Sequence, residues 1–168
     1  MAIGDSIAVS GCCLTVVELD AERLDFQAGE ETLRKTNLGS RIPPEFVNCE
    51  RSLRLADRVG GHLVTGHVDG QGKVQDRSDN ADWSDLVFQA PPDLMRQMAS
   101  KGSITVDGVS LTLVDVTDET FSVALIPHTL AHTTLGELRI GDTVNLETDL
   151  LAKYVQRQLN FGSQNPAS

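Results

Sequence analysis

Ile7 and Val9, then Cys12, Leu14 and Val16, fall on alternate positions either side of Ser10-Gly11. Ile104 and Val106, then Val109, Leu111 and Leu113, do the same either side of Asp107-Gly108. A period of two marks a strand with one buried face, and a Gly-containing pair between two such runs predicts a hairpin. Short strands punctuated by turn residues every eight to twelve positions or so, without a long helical stripe between them, predict an antiparallel barrel or sandwich and not a βαβ layout. Two stretches break the pattern. Pro91-Pro92-Asp93 opens a short helix carrying Leu94, Met95 and Met98 that stops before Gly102, because proline suits a first turn. From Asp149 to Leu159, Leu151, Val155 and Leu159 recur every fourth residue, which predicts a helix with one apolar stripe that caps a barrel or joins a subunit interface.

The strand pattern occurs twice because the sequence does. Residues 6–50 align without a gap onto 103–147 at a constant offset of 97, with 16 identities in 45 positions, against roughly three expected from ordinary residue usage. The matches include Leu14-Thr15 with Leu111-Thr112, Thr32-Leu33 with Thr129-Leu130, and Val47-Asn48 with Val144-Asn145. The segment from about Thr65 to Gly102 leads into the second copy, and moving Thr65 back by the same offset lands roughly 33 residues ahead of Met1. The first copy is therefore expected to lack the counterpart of that segment. The expected organisation is a first barrel over 1–62, open at its start, a second over 63–148, a terminal helix over 149–161, and a disordered tail over 162–168, polar with Gly and Pro.

Composition narrows the partners. A formal net charge of -10 repels phosphates, so neither nucleic acid nor an anionic membrane is expected as a partner. No run approaches the ~20 apolar residues of a membrane-spanning helix, and the first residues lack a basic-then-apolar leader, which predicts a soluble, cytoplasmic protein. Cys12, Cys13 and Cys49 are an odd number and two are adjacent, so they are expected as free thiols. No His/Cys cluster has zinc spacing.

Three motifs stand in order: Gly11-Cys12-Cys13-Leu14-Thr15-Val16, Gly61-His62-Leu63-Val64-Thr65-Gly66-His67-Val68-Asp69-Gly70, and Asp107-Gly108-Val109-Ser110-Leu111-Thr112. Together with the duplication they resemble riboflavin synthase of the alpha-chain type, a likeness that reaches from Gly4 to about Leu159. The resemblance implies an all-β fold: two tandem six-stranded Greek-key barrels, the first incomplete at its start, and a C-terminal α-helix through which a homotrimer assembles. It implies conversion of two molecules of 6,7-dimethyl-8-ribityllumazine into riboflavin and 5-amino-6-ribitylamino-uracil without metal or cofactor, where one subunit's first barrel faces another's second.

The resemblance also assigns residues. Cys13, Leu14 and Thr15 with Gln27, Ala28, Gly29, Glu30, Glu31 and Thr32 would contact ligand in the first copy. Gly66, His67 and Val68, with Ser110, Leu111 and Thr112 and with Ala124, Leu125, Ile126, Pro127, His128 and Thr129, would do so in the second. Lys101 would reach the neighbouring subunit's ligand. Cys13, His67 and Ser6 would carry the chemistry, with His62 in support. The residue types suit it: a thiol adds to an electron-poor ring carbon or passes a proton, and imidazole moves protons near neutral pH. Read alone, Cys13 is equally a small core residue on a strand, and Cys12, on the opposite face, a filler. A dismutation of identical molecules needs two similar pockets with different roles, and Cys13 against Ser110 is the difference at the central match. Departures are Ser10 where the family has Asn, and the absence in 27–32 of the proline present as Pro127. A binding protein that holds a lumazine or flavin without chemistry is the alternative, and an inactive fragment a third.

Overall fold

The computed structural model describes residues 1–164. Its element order repeats at the offset read from the sequence. In the first copy β1 (Ser6–Val9), β2 (Cys12–Leu19), β3 (Leu24–Phe26), α1 (Glu30–Lys35) and β4 (Cys49–Arg51) follow one another. Then come β5 (Gly70–Asn80), β6 (Trp83–Gln89) and α2 (Pro92–Met95). The second copy supplies β7 (Ser103–Val106), β8 (Val109–Val116), β9 (Thr120–Leu125), α3 (Pro127–His132) and β10 (Thr143–Thr148), and α4 (Leu150–Gln164) ends the described chain. The loops β1–β2 and β7–β8 are two residues long, and Ser10, Gly11, Asp107 and Gly108 all have positive φ (42°, 78°, 44° and 86°). Two-residue hairpin loops take this conformation because its twist matches that of the strands.

The second copy closes into a barrel in the order β10-β5-β6-β9-β8-β7, every pair antiparallel. The first copy forms the order β3-β2-β1-β4, the equivalent of β9-β8-β7-β10. Among the described residues no strand joins β3 to β4 as β5 and β6 join β9 to β10, so this sheet is open. The cores differ accordingly. Val74, Leu86, Phe88, Ile104, Leu113, Phe121 and nine other buried side chains fill the barrel with Leu146, while Ile7, Val9 and Val16 form the buried cluster of the first sheet.

The copies meet at their hairpin turns. A Cβ placed on Gly11 would lie 2.7 Å from the Gly108 amide nitrogen, so only glycine lets the two backbones touch. Around that contact two matched asparagines exchange bonds. Asn145 donates from Nδ2 to the Ser10 carbonyl (2.9 Å) and accepts the Asn37 amide at Oδ1 (2.7 Å). Asn48 donates to the Asp107 carbonyl (2.8 Å) and accepts the Thr134 amide (2.9 Å). Each copy thus satisfies backbone groups of the other.

The predicted helices form with different bounds. α2 is shorter than expected and α4 longer: the backbone of the supposed tail is helical through Gln164, and the rest of that tail lies outside the described residues. Among the described residues no helix is long and apolar enough to cross a membrane.

Candidate functional site

Strand alternation on β2 and β8 sorts the motif side chains. Cys12 is buried, whereas Cys13 and Thr15 turn out of the sheet, which removes the reading of Cys13 as a core residue. Leu14 packs toward the first cluster. On β8, Ser110 and Thr112 turn outward and Leu111 packs against the barrel core. The matched thiol and hydroxyl therefore stand on equivalent outer faces, with Ala8 opposite Cys13 across β1–β2 and Thr105 opposite Ser110 across β7–β8.

The segment between the copies lies over both. Gly66 accepts the Cys13 amide on its carbonyl (2.8 Å), and a Cβ at Gly66 would meet Cys13 Cβ at 2.6 Å. Gly61 abuts Ser110, where any side chain would collide with Oγ. Glu147, 2 % exposed, fixes the crossing point: it accepts the Thr65 amide (2.7 Å), the Thr65 hydroxyl (2.7 Å) and the Gly66 amide (2.9 Å). A buried carboxylate with three donors is satisfied where a lone one would not be. His62 sits between Ser110 and Thr105, with Nδ1 2.8 Å from Ser110 Oγ and Nε2 3.2 Å from Thr105 Oγ1. The result is a cleft of about 810 Å³ between the copies, lined among others by Cys13, His62, Gly66, Ser110, Arg51 and Arg58.

The cleft gathers Cys13, His62, Gly66 and Ser110 from the residues singled out in the sequence. Ser6 faces Thr15 across β1–β2, two positions along from Cys13 and outside the cleft lining. Gln27, Ala28 and Gly29 form the loop into α1, whose first turn holds Glu30, Glu31 and Thr32. Their counterparts are Ala124 and Leu125 at the end of β9, Ile126 at the cap of α3, and Pro127, His128 and Thr129 in its first turn. Leu125 is a core side chain, so only its backbone can face a ligand. His67 is exposed and Val68 half-buried on the approach to β5; neither lines the cleft. Lys101 precedes β7 with φ of 68°, a left-handed residue on an exposed turn.

Electrostatics separate the thiols and the acids. Burial, with Cys13 beside it, raises Cys12, and burial raises Cys49, so both stay protonated. Burial lowers His62, against the opposing pull of Asp149 and Glu147, and leaves the ring neutral at pH 7. At the seam, burial pushes Asp107 up to about 6, against the amide of Asn145, Arg41 and Asn37. Glu147, Asn48, Asn145 and Asp107 were not read as functional from the sequence. The signal was present for three of them: Asn48/Asn145 and Glu50/Glu147 are identical pairs in the repeat.

The lumazine binding domain family matches residues 1–52 and 65–149, leaving out Gly61 and His62, which lie against Ser110. The riboflavin synthase of Actinobacillus pleuropneumoniae is 43% identical over 159 residues, 94% of this chain and 73% of that one. That of Brucella abortus is 46% identical over 164 residues, 95% of this chain and 81% of its own. Among solved structures, LumP complexed with 6,7-dimethyl-8-(1'-D-ribityl) lumazine superposes with a TM-score of 0.79 at 25% identity, covering 88% of this chain and 79% of that one. LumP complexed with riboflavin gives 0.80 at 26% identity, over 88% and 80%.

Proposed function

The chain belongs to the riboflavin synthase family of lumazine-binding proteins, and on that premise we propose that it catalyses the dismutation of 6,7-dimethyl-8-ribityllumazine in riboflavin biosynthesis. Two molecules react: a four-carbon unit passes from one to the other, giving riboflavin and 5-amino-6-ribitylamino-uracil. The observation that carries this reading is the matched pair of outward-facing residues, Cys13 and Ser110, on equivalent strands of a duplicated fold. Identical ligands bound by identical pockets have no reason to take different parts. A thiol in one and a hydroxyl in the other supply the asymmetry.

In this reading Cys13, Leu14, Thr15 and the segment 27–32 hold one lumazine, and 66–68, 110–112 and 124–129 the other. Backbone amides and carbonyls of these strand ends read the pyrimidine-dione edge, since Leu14, Leu111 and Leu125 turn inward. Cys13 adds to an electron-poor ring carbon or passes a proton. His67 moves the methyl proton that must leave before the carbon–carbon bond forms, Ser6 lends a hydroxyl beside Thr15, and Lys101 reaches a neighbouring subunit's ligand. Assembly as a homotrimer through α4 is supported by its exposed Leu151, Tyr154 and Val155. Three free thiols suit a reducing cytoplasm.

LumP's complexes with a lumazine and with riboflavin favour a second reading, a binding protein without chemistry. The greater identity to riboflavin synthases, 43% and 46% against 25% and 26%, weighs for the enzyme. Riboflavin formation from the lumazine, followed by absorbance, separates the two. Turnover is expected, with Cys13→Ser slowing it by ~10–100-fold and Ser110→Ala by less. Saturable fluorescence quenching of the lumazine without turnover supports the binder; no saturable binding sinks both.

A further inference from the structure

Cys13 and Ser110 are matched by the repeat but not by their surroundings. Opposite Cys13 across the hairpin stands Ala8, which offers no polar atom; opposite Ser110 stands Thr105, a buried hydroxyl. His62 lies over that second pair and reaches both oxygens, Ser110 Oγ at 2.8 Å and Thr105 Oγ1 at 3.2 Å. Among the described residues no side chain bridges Cys13 and Ala8 as His62 bridges Ser110 and Thr105.

A neutral imidazole carries one N–H donor and one acceptor, so of the two hydroxyls that engage its ring nitrogens one donates to the ring and the other accepts from it. Of the two tautomers, the one in which Ser110 donates to Nδ1 and Nε2–H donates to Thr105 is the one that leaves Ser110 an acceptor. The Ser110 proton then points at the histidine, and its lone pairs are left to face the cleft. We infer that His62 is a positioning residue of the second pocket, holding Ser110 as a hydrogen-bond acceptor toward a bound lumazine while Cys13 remains a free thiol toward the other. This rests on the riboflavin synthase reading and adds to it what distinguishes the two pockets.

The ring must be neutral for this to work. The charged and titratable groups that bear on it are Glu147 and Asp149, which favour the imidazolium, and Glu50, Arg51, Arg58, His132, Cys13 and Cys49, which line the same cleft. Burial outweighs the two carboxylates, so the acceptor state holds at pH 7 and is lost on acidification below the ordinary range for histidine.

Two measurements on the full chain test it. In the ligand-free protein with ¹⁵N-labelled histidine, the His62 ring should show Nδ1 unprotonated and Nε2 protonated at pH 7.5. Ser110→Ala should shift Nδ1, and Thr105→Val should shift Nε2. In turnover of 6,7-dimethyl-8-ribityllumazine, His62→Phe and Ser110→Ala should each raise KM by about 10-fold. The double variant should be no worse than the worse single one, and His62→Phe should lose the acid limb of the KM profile. Effects that multiply to about 100-fold, a protonated Nδ1, or an Nδ1 signal indifferent to Ser110→Ala overturn the positioning role while leaving the functional reading intact. A chain with the expected ring signature that binds no lumazine overturns the functional reading, and with it the role of His62 toward a ligand, leaving a structural clamp.

Discussion

Among the described residues Asp107 is the one carboxylate whose burial is not matched by its bonds. Oδ1 accepts the Asn145 amide (2.8 Å) and Asn37 Nδ2 (3.3 Å), but Oδ2 has no hydrogen-bond donor and faces Arg41 only at 3.6 Å. Burial prevails, and the group sits at about 6 where its ordinary value is 3.8. The folded protein therefore binds this proton more tightly than the unfolded chain. The stability linked to it is complete below pH 4, declines as pH rises through 6, and is gone above, a swing of about 3 kcal/mol. Asp107→Asn keeps the acceptor for Asn145, tolerates the left-handed turn, and has nothing to ionise. At pH 7 it should be about 1–2 kcal/mol more stable than the wild type, with no loss between pH 4 and 6. Urea unfolding across pH 4–7 measures both; wild-type and variant curves that run parallel would contradict this account of the seam. Single residues were legible in the sequence where alternation sets an apolar face, as for Cys12 and Leu14, whereas Cys13 read alone was also a core residue and only the structure turns it out. Asp107 was read only as a turn residue, because the burial of a hairpin tip depends on a partner nearly a hundred positions away.

At the scale of elements, the offset of 97 relates β1 to β7, β2 to β8, β3 to β9 and α1 to α3. The hairpins were readable because their period is two and their turns contain glycine. α1 and α3 were not, since six residues span fewer than two turns and display no stripe. The exchange made by Asn48 and Asn145 explains why this pair is identical in the two copies. Asn145→Ala would leave the Ser10 carbonyl and the Asn37 amide buried without partners, at a cost of about 2–4 kcal/mol. Asn48→Ala, at a half-buried position that water can reach, should cost about 1 kcal/mol. Denaturant midpoints check the order, and equal losses would mean that the two bridges are equally wet. α4 is tied at its start by Lys153 to Asp69 (2.8 Å), whose carboxylate also accepts the Thr148 amide (2.9 Å). On either side of that anchor Leu151, Tyr154 and Val155 are exposed, a set that a surface helix does not leave bare without a partner. Under the proposed homotrimer, Leu151→Glu with Val155→Glu should reduce the mass measured by light scattering from that of a trimer to that of a monomer. An unchanged mass would remove α4 from the interface.

For the whole molecule the asymmetry between the copies outweighs their likeness. The barrel of the second copy has every strand paired on both sides and its own continuous core. The first sheet has two unpaired edges, β3 and β4, a cluster of three buried side chains, and a seam held partly by bonds from the other copy. Unpaired edges and a small core do not sustain a domain alone. Residues 65–164 expressed by themselves should therefore unfold in one cooperative transition, whereas residues 1–64 should show no cooperative transition at all. The excised barrel keeps Gly66 to Val68, Ser110 to Thr112 and Ala124 to Thr129, so it should also quench and saturate with riboflavin or the lumazine, with affinity reduced by the loss of His62 from above Ser110. Calorimetry and fluorescence titration read the two properties independently. A cooperative melt for residues 1–64 would show that the open sheet needs neither closure nor its neighbour. A folded 65–164 that binds neither ligand would mean that the second pocket is built from both copies, across the cleft that Cys13 and Ser110 both line.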